Sequence, residues 1–166
     1  CGVSIAWRGP LTALGLAFAG LVFFTDQVVK AWVLFRLDLA ETGPLRLAPF
    51  CDLVLTWNHG ISYGLFAAPG AGQAILIALS LAVTVGLWLW LARAAKPLTA
   101  AALGLIIGGA LGNALDRAVH GAVVDFVLLH AYGWSWYVFN MADVAIVAGV
   151  MALLYESWSE PRPARG

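Results

Sequence analysis

Two aspartates, Asp125 and Asp143, have no basic residue beside them in the sequence. Asp125 interrupts the apolar run Ala122-Val123-Val124-Asp125-Phe126-Val127-Leu128-Leu129. Two carboxyls brought together in a low-dielectric site cannot both ionise easily, so one keeps a proton that the other lacks. That state suits acid–base activation of water against an amide. The ionised acid takes the water's proton while the protonated one polarises the carbonyl. The plainer reading is that each is a buried polar residue satisfied by a neighbour, and spacing alone does not bring them together.

Other polar residues fall in pairs that helix geometry would group. Asn113 and Arg117 are i,i+4, Asn140 and Asp143 are i,i+3, and Asp26 and Lys30 are i,i+4 with the acid first, the better order for a pair. Asn113, Arg117 and Asn140 could hold two acids and neutralise developing charge. Asp26 with Lys30, and Asp116 beside Arg117, read more simply as structural pairs.

The elements that must position these residues are membrane helices. Of the 166 residues, 62% are hydrophobic and 11% charged, and mean hydropathy is +0.89. Soluble domains carry roughly 25% charged residues. The balance excludes a soluble enzyme and a disordered chain, and a net charge of zero gives no basic excess for nucleic acid. Four stretches approach the roughly 20 apolar residues that a bilayer core needs: about 11–31, 72–92, 98–116 and 137–156. The predicted fold is a membrane all-α, four-transmembrane-helix bundle forming one domain over 1–166. The A-x-A string Ala17-Phe18-Ala19 resembles a signal-peptidase cleavage signal, but apolar residues continue to Phe24.

Arg8, Arg93, Lys96, Arg162 and Arg165 then share one side, which the positive-inside rule makes cytoplasmic together with both termini. The chemistry-bearing residues gather at the opposite face. There, segments of about 32–71 and 117–136 carry Trp32, Trp57, Trp134, Trp136 and Tyr137, rings that favour the membrane–water boundary. Mixed alternation with Gly and Pro breaks over 45–68 predicts a few short strands lying at the extracytoplasmic interface. Gly104, Gly108 and Gly112, spaced by four, predict close helix packing. Cys1 and Cys51 fall on opposite faces, so no disulfide is expected, and the polar, Pro-containing tail is expected to fray.

Five strings in order resemble the lipoprotein signal peptidase (signal peptidase II) family: Asp26-Gln27-Val28-Val29-Lys30; Asn58-His59-Gly60-Ile61-Ser62-Tyr63-Gly64; Gly108 through Arg117; Val123-Val124-Asp125-Phe126; and Phe139-Asn140-Met141-Ala142-Asp143. The resemblance implies a metal-free, cofactor-free intramembrane aspartyl peptidase of the bacterial inner membrane. It implies removal of the signal peptide from prolipoproteins already bearing diacylglycerol on a cysteine, with cleavage just before that Cys. It implies Asp125 and Asp143 as catalytic, and Asp26, Lys30, Asn58, Gly60, Asn113, Arg117 and Asn140 as supporting or substrate-binding. It also implies a cradle and mobile helix over about 42–70, and inhibition by globomycin-type cyclic peptides. Tyr63 stands where the family often has Phe, which keeps an aromatic wall and adds a hydroxyl. Beyond lipid and substrate no partner is implied, and nothing demands more than a monomer.

Rival chemistries fit less well. Gly60-Ile61-Ser62-Tyr63-Gly64 matches G-x-S-x-G, with Asp125 and His130 following, but that motif needs an α/β sheet. Ser62 with Lys30 has no motif behind it. His59, His120 and His130 lack metal-ligand spacing. A small transporter or proton-conducting bundle would use intramembrane acids too. It would favour inverted repeats and access from both faces, and the sequence has no evident repeat.

Overall fold

Long apolar runs must satisfy their own backbone groups inside a bilayer, and helices do so without help from neighbours. In the computed structural model, which describes residues 7–60 and 71–159, four helices are long and apolar enough to cross a membrane. Helix α1 (Thr12–Trp32) runs into a π-helical turn, Val33–Leu37, which ends where Asp38 turns left-handed at φ 47°. A short α2 (Leu39–Thr42) leads to strands β1 (Leu45–Ala48) and β2 (Cys51–Asn58). Helices α3 (Ala71–Leu91) and α4 (Pro97–His120) follow, then strands β3 (Val123–Ala131) and β4 (Trp134–Ser135), then α5 (Met141–Ser159).

Helix α4 is the axis of the bundle and packs against α1, α3 and α5. Its span is 67% buried, against 22% or less for the other three. Glycine makes this possible. A Cβ on Gly104 would stand 2.2 Å from the Gly15 carbonyl oxygen, and one on Gly108 2.5 Å from that of Ala19. No side chain fits at those distances, so α1 and α4 meet backbone to backbone, as the glycine spacing predicts.

The strands form one antiparallel sheet in the order β1-β2-β3-β4. Phe126 turns one way, onto Val33, Leu39 and Leu53. Its neighbour Asp125 takes the opposite face, because strand side chains alternate. Residue 139 pairs with β3: the Phe139 N–H donates to the Val127 carbonyl at 3.0 Å, and its own carbonyl accepts from Val127 at 2.9 Å. That bridge brings the start of α5 alongside Asp125.

Several boundaries differ from the sequence expectation. The third span runs to His120 rather than 116, so Asn113, Asp116 and Arg117 lie within its last eight residues. The fourth starts at Met141 rather than 137, because Phe139 is held extended by β3 and Asn140 caps the helix. The cradle also extends past 32–71, since half its strands come from 123–135. Residues 61–70 lie outside the described residues. So the Ile61–Gly64 part of the second string, the Tyr63 departure, Ser62 and most of the mobile helix expected over 42–70 lie there too. Cys1, Arg162, Arg165 and the tail also fall outside, and Cys51 is a free thiol.

Candidate active site

Asp125, on β3, and Asp143, at the third position of α5, line one cleft of about 790 Å³ between the sheet and helices α3, α4 and α5. Asparagines link them. The Asn140 amide donates to Asp125 Oδ1 at 2.7 Å and to Asn113 Oδ1 at 3.1 Å. Asn113 in turn donates to Asp143 Oδ1 at 3.0 Å. Asn58 donates to Asp125 Oδ2 at 3.0 Å. All four carboxylate oxygens have a donor, because the Asn140 N–H reaches Asp143 Oδ2 at 3.3 Å.

Local chemistry fixes which way each amide faces. Asn140 is the N-cap of α5: its Oδ1 accepts the Asp143 N–H at 3.0 Å while Asp143 returns a carboxylate to the Asn140 N–H. This reciprocal pair is a capping box built from Asn and Asp. With its oxygen used on the helix, Asn140 has its NH2 left for Asp125. Asn113 Oδ1 accepts from both Lys30 Nζ, at 3.1 Å, and Asn140, so its NH2 must face Asp143.

Under the two acids lies a buried ionic layer. Lys30 Nζ sits 2.7 Å from Asp26 Oδ2 and 2.7 Å from Asp116 Oδ2. Gln27 bridges the same acids, donating to Asp26 Oδ2 at 3.2 Å and Asp116 Oδ1 at 3.0 Å. Removing Lys30 from such a layer would leave two carboxylates uncompensated, a cost of about 3–5 kcal/mol.

Arg117 Nη2 donates to the Gly60 carbonyl at 3.1 Å, and the Gly60 N–H donates to Asn58 Oδ1 at 3.1 Å. Gln73 hydrogen-bonds the His59 carbonyl. The chain leaving β2 is therefore tied down at His59 and Gly60, just beside Asp125.

Asp125 is 2% exposed. Burial pushes its carboxyl up to about 6, and the charge of Asp143 pushes the same way. The hydrogen bonds from Asn58 and Asn140 and the charge on Lys30 pull it partly back. An acid in this range exchanges protons readily near neutral pH. Among the described residues no group of three or more His, Cys, Asp or Glu is placed to hold a metal ion.

The structure brings Asp125, Asp143, Asn58, Gly60, Asn113 and Arg117 to the cleft, with Asn140 buried and bonded to both acids and with Asp26 and Lys30 beneath. Asp116 is bound to Lys30 and Gln27. Gln27 and Gln73 join the site beyond the residues expected from the sequence; for Gln27 the signal is an amide beside a charged residue within a membrane span.

Known proteins match this chain closely. The family model described as Signal peptidase (SPase) II matches residues 18–159. A lipoprotein signal peptidase of Methylorubrum extorquens is 57% identical over 153 residues, covering 92% of this chain and 86% of the relative. One of Methylobacterium radiotolerans is 55% identical over 159 residues, covering 92% and 93%. Two structures of bacterial membrane enzymes solved by the in meso method share the fold. They have TM-scores of 0.78 and 0.75 at 22% identity, each covering 95% of this chain and 100% and 98% of their own. Helices, sheet and sequence relatives converge, and the chain belongs to the signal peptidase II family, proteases that are the lipoprotein signal peptidases.

Proposed function

We propose that this lipoprotein signal peptidase, a multi-pass inner-membrane protein, is an aspartyl endopeptidase in which Asp125 and Asp143 activate water. The proposed substrate is a prolipoprotein carrying diacylglycerol on a cysteine, cut at the bond before that Cys. The observation that carries the reading is the shared cleft, where two carboxyls are joined through Asn140 and Asn113 and one of them is raised to about 6.

The chemistry divides as follows. Asp143 takes a proton from water, and the water oxygen bonds to the amide carbon. Asp125, the raised acid, gives its proton to the carbonyl oxygen. As the intermediate collapses the C–N bond breaks, the proton held by Asp143 passes to the departing nitrogen, and Asp125 takes back a proton from a hydroxyl of the intermediate as the C=O re-forms; the new acid then ionises in water. The products are a signal peptide ending in a carboxylate and a lipidated Cys with a free amine. Asn58, Asn140 and Asn113 hold the carboxyls in place, and Arg117 and Gly60 shape the entrance.

Binding is largely apolar. Leu76, Leu79 and Val83 of α3 face Ile106 of α4 and Ile146 of α5 across the cleft, a slot for an apolar signal helix. Globomycin-type cyclic peptides would occupy the same cleft. Arg8, Arg93 and Lys96 gather at the far end of the bundle. That supports cytoplasmic termini, with the site near the extracytoplasmic face.

Purified protein in detergent, given a diacylglyceryl-modified prolipoprotein peptide, tests the reading by mass spectrometry. The expected product carries a new amine on the lipidated Cys. Cleavage at another bond, or equal cleavage of the unlipidated peptide, would overturn the substrate assignment.

A further inference from the structure

The buried layer under the cleft has an order that charge balance alone does not require. Asp26 Oδ1 accepts the backbone N–H of Ala142 at 3.0 Å. Asp116 Oδ2 accepts the backbone N–H of Val124 at 3.1 Å. Ala142 and Val124 are the residues immediately before Asp143 and Asp125. Each proposed catalytic acid therefore follows a peptide unit gripped by a second, deeper carboxylate. Lys30 touches both deeper carboxylates at 2.7 Å, and Gln27 spans them again. Asp26 and Asp116 stand on α1 and α4, the pair of helices locked together by glycine, so the grips share one rigid base.

We propose that Asp116 is a positioning residue for the proteolytic reaction, setting the backbone that carries Asp125 as Asp26 sets the backbone that carries Asp143. Lys30 joins the two into a single gauge that fixes the separation of the reacting carboxyls. The inference rests on the Asp125–Asp143 reading above. Asp116 is 2% exposed and is not among the residues that line the cleft. Its removal acts on turnover and not on binding. A displacement of about 1 Å in a reacting group costs on the order of 100-fold in rate.

Asp116→Ala removes the acceptor for Val124, whereas Asp116→Asn keeps an oxygen that can accept from both Lys30 and the Val124 N–H. Steady-state kinetics on the lipidated peptide, with thermal melts for folding, separate the cases. Asp116→Ala is expected to lose about 100-fold in kcat with KM within about threefold of wild type. Asp116→Asn is expected to recover to within about tenfold of wild type. Wild-type kcat in folded Asp116→Ala, or equal kcat losses in the two folded variants, overturns the proposal. If Asp116→Ala does not fold, Asp116→Asn is read with hydrogen exchange at the Val124 amide. Protection retained together with near-normal kcat supports the gauge, and protection lost with kcat unchanged overturns it. Asp125→Asn assayed alongside keeps the two readings apart. Cleavage by that variant removes the aspartyl assignment itself, whereas its inactivity leaves the Asp116 series as a test of positioning alone.

Discussion

Asn58→Ala offers a test of the electrostatics at Asp125, because its effect on pH dependence has a definite sign. Asn58 donates to Asp125 Oδ2 at 3.0 Å and so favours the charged carboxylate. With Asp125 at about 6, the protonated acid disappears as pH rises, and kcat/KM of the free enzyme falls on its alkaline side with a midpoint near 6. At pH 7.5 wild type is then expected to retain about 3% of its plateau. A hydrogen bond to a charged group contributes about 1.5–3 kcal/mol, and the lower figure applies beside an open cleft that water can enter. Losing it raises the acid by about one pH unit, to near 7. The variant then keeps about 24% of its own plateau at pH 7.5, an eightfold relative gain. The plateau itself falls about tenfold, since Asn58 also holds the Gly60 N–H. Rates of lipidated-peptide cleavage from pH 5 to 8.5 measure both effects. An alkaline midpoint that stays at 6 or moves down refutes the assignment of Asp125 as the proton carrier.

Three further perturbations follow from the same geometry. Asp125 has a folded-state value of about 6 against 3.8 for the free side chain, so its stabilising contribution is complete below about 3.8 and gone above about 6. Between pH 5 and 7.5 wild type is expected to lose about 1.4 kcal/mol more than Asp125→Asn, read by denaturation at the two pH values. Lys30→Met leaves Asp26 and Asp116 buried without their cation, and is expected to destabilise by about 3–5 kcal/mol in the same assay, with the loss smaller at low pH. Gly104→Val forces a side chain against the Gly15 carbonyl and is expected to cost about 3 kcal/mol or abolish the folded bundle, whereas Gly86→Val, where nothing lies within 4 Å, is expected to melt within about 1 kcal/mol of wild type.

Much of this was legible in the sequence, for identifiable reasons. Hydropathy sets the helices, and spacings of three and four set which polar residues share a face, so Asn113 with Arg117 and Asp26 with Lys30 fall where expected. Strand β3 was harder. Val123 to Phe126 are buried on both faces, which erases the alternation that marks a half-exposed strand. Its partner β2 lies 67 residues away at the Asn58–Asp125 bond, a separation no local pattern reports. Asp116 has Arg117 beside it in sequence and reads as structural, but adjacent helix residues point apart, so its neighbour does not reveal its strongest contact. Its true partner Lys30 is on another helix, reachable because α1 and α4 meet at their glycines. Asn140 and Asp143 were rightly paired by spacing, but as a cap rather than as two residues within a helix, since Phe139 is first captured by β3.

The central claim is that two aspartates do the cutting. Wild type, Asp125→Asn and Asp143→Asn, each confirmed folded by melting, are to be incubated with the diacylglyceryl-modified peptide and the products weighed. Cleavage before the lipidated Cys by wild type alone is the expected result. Cleavage at that bond surviving in both variants would contradict the account.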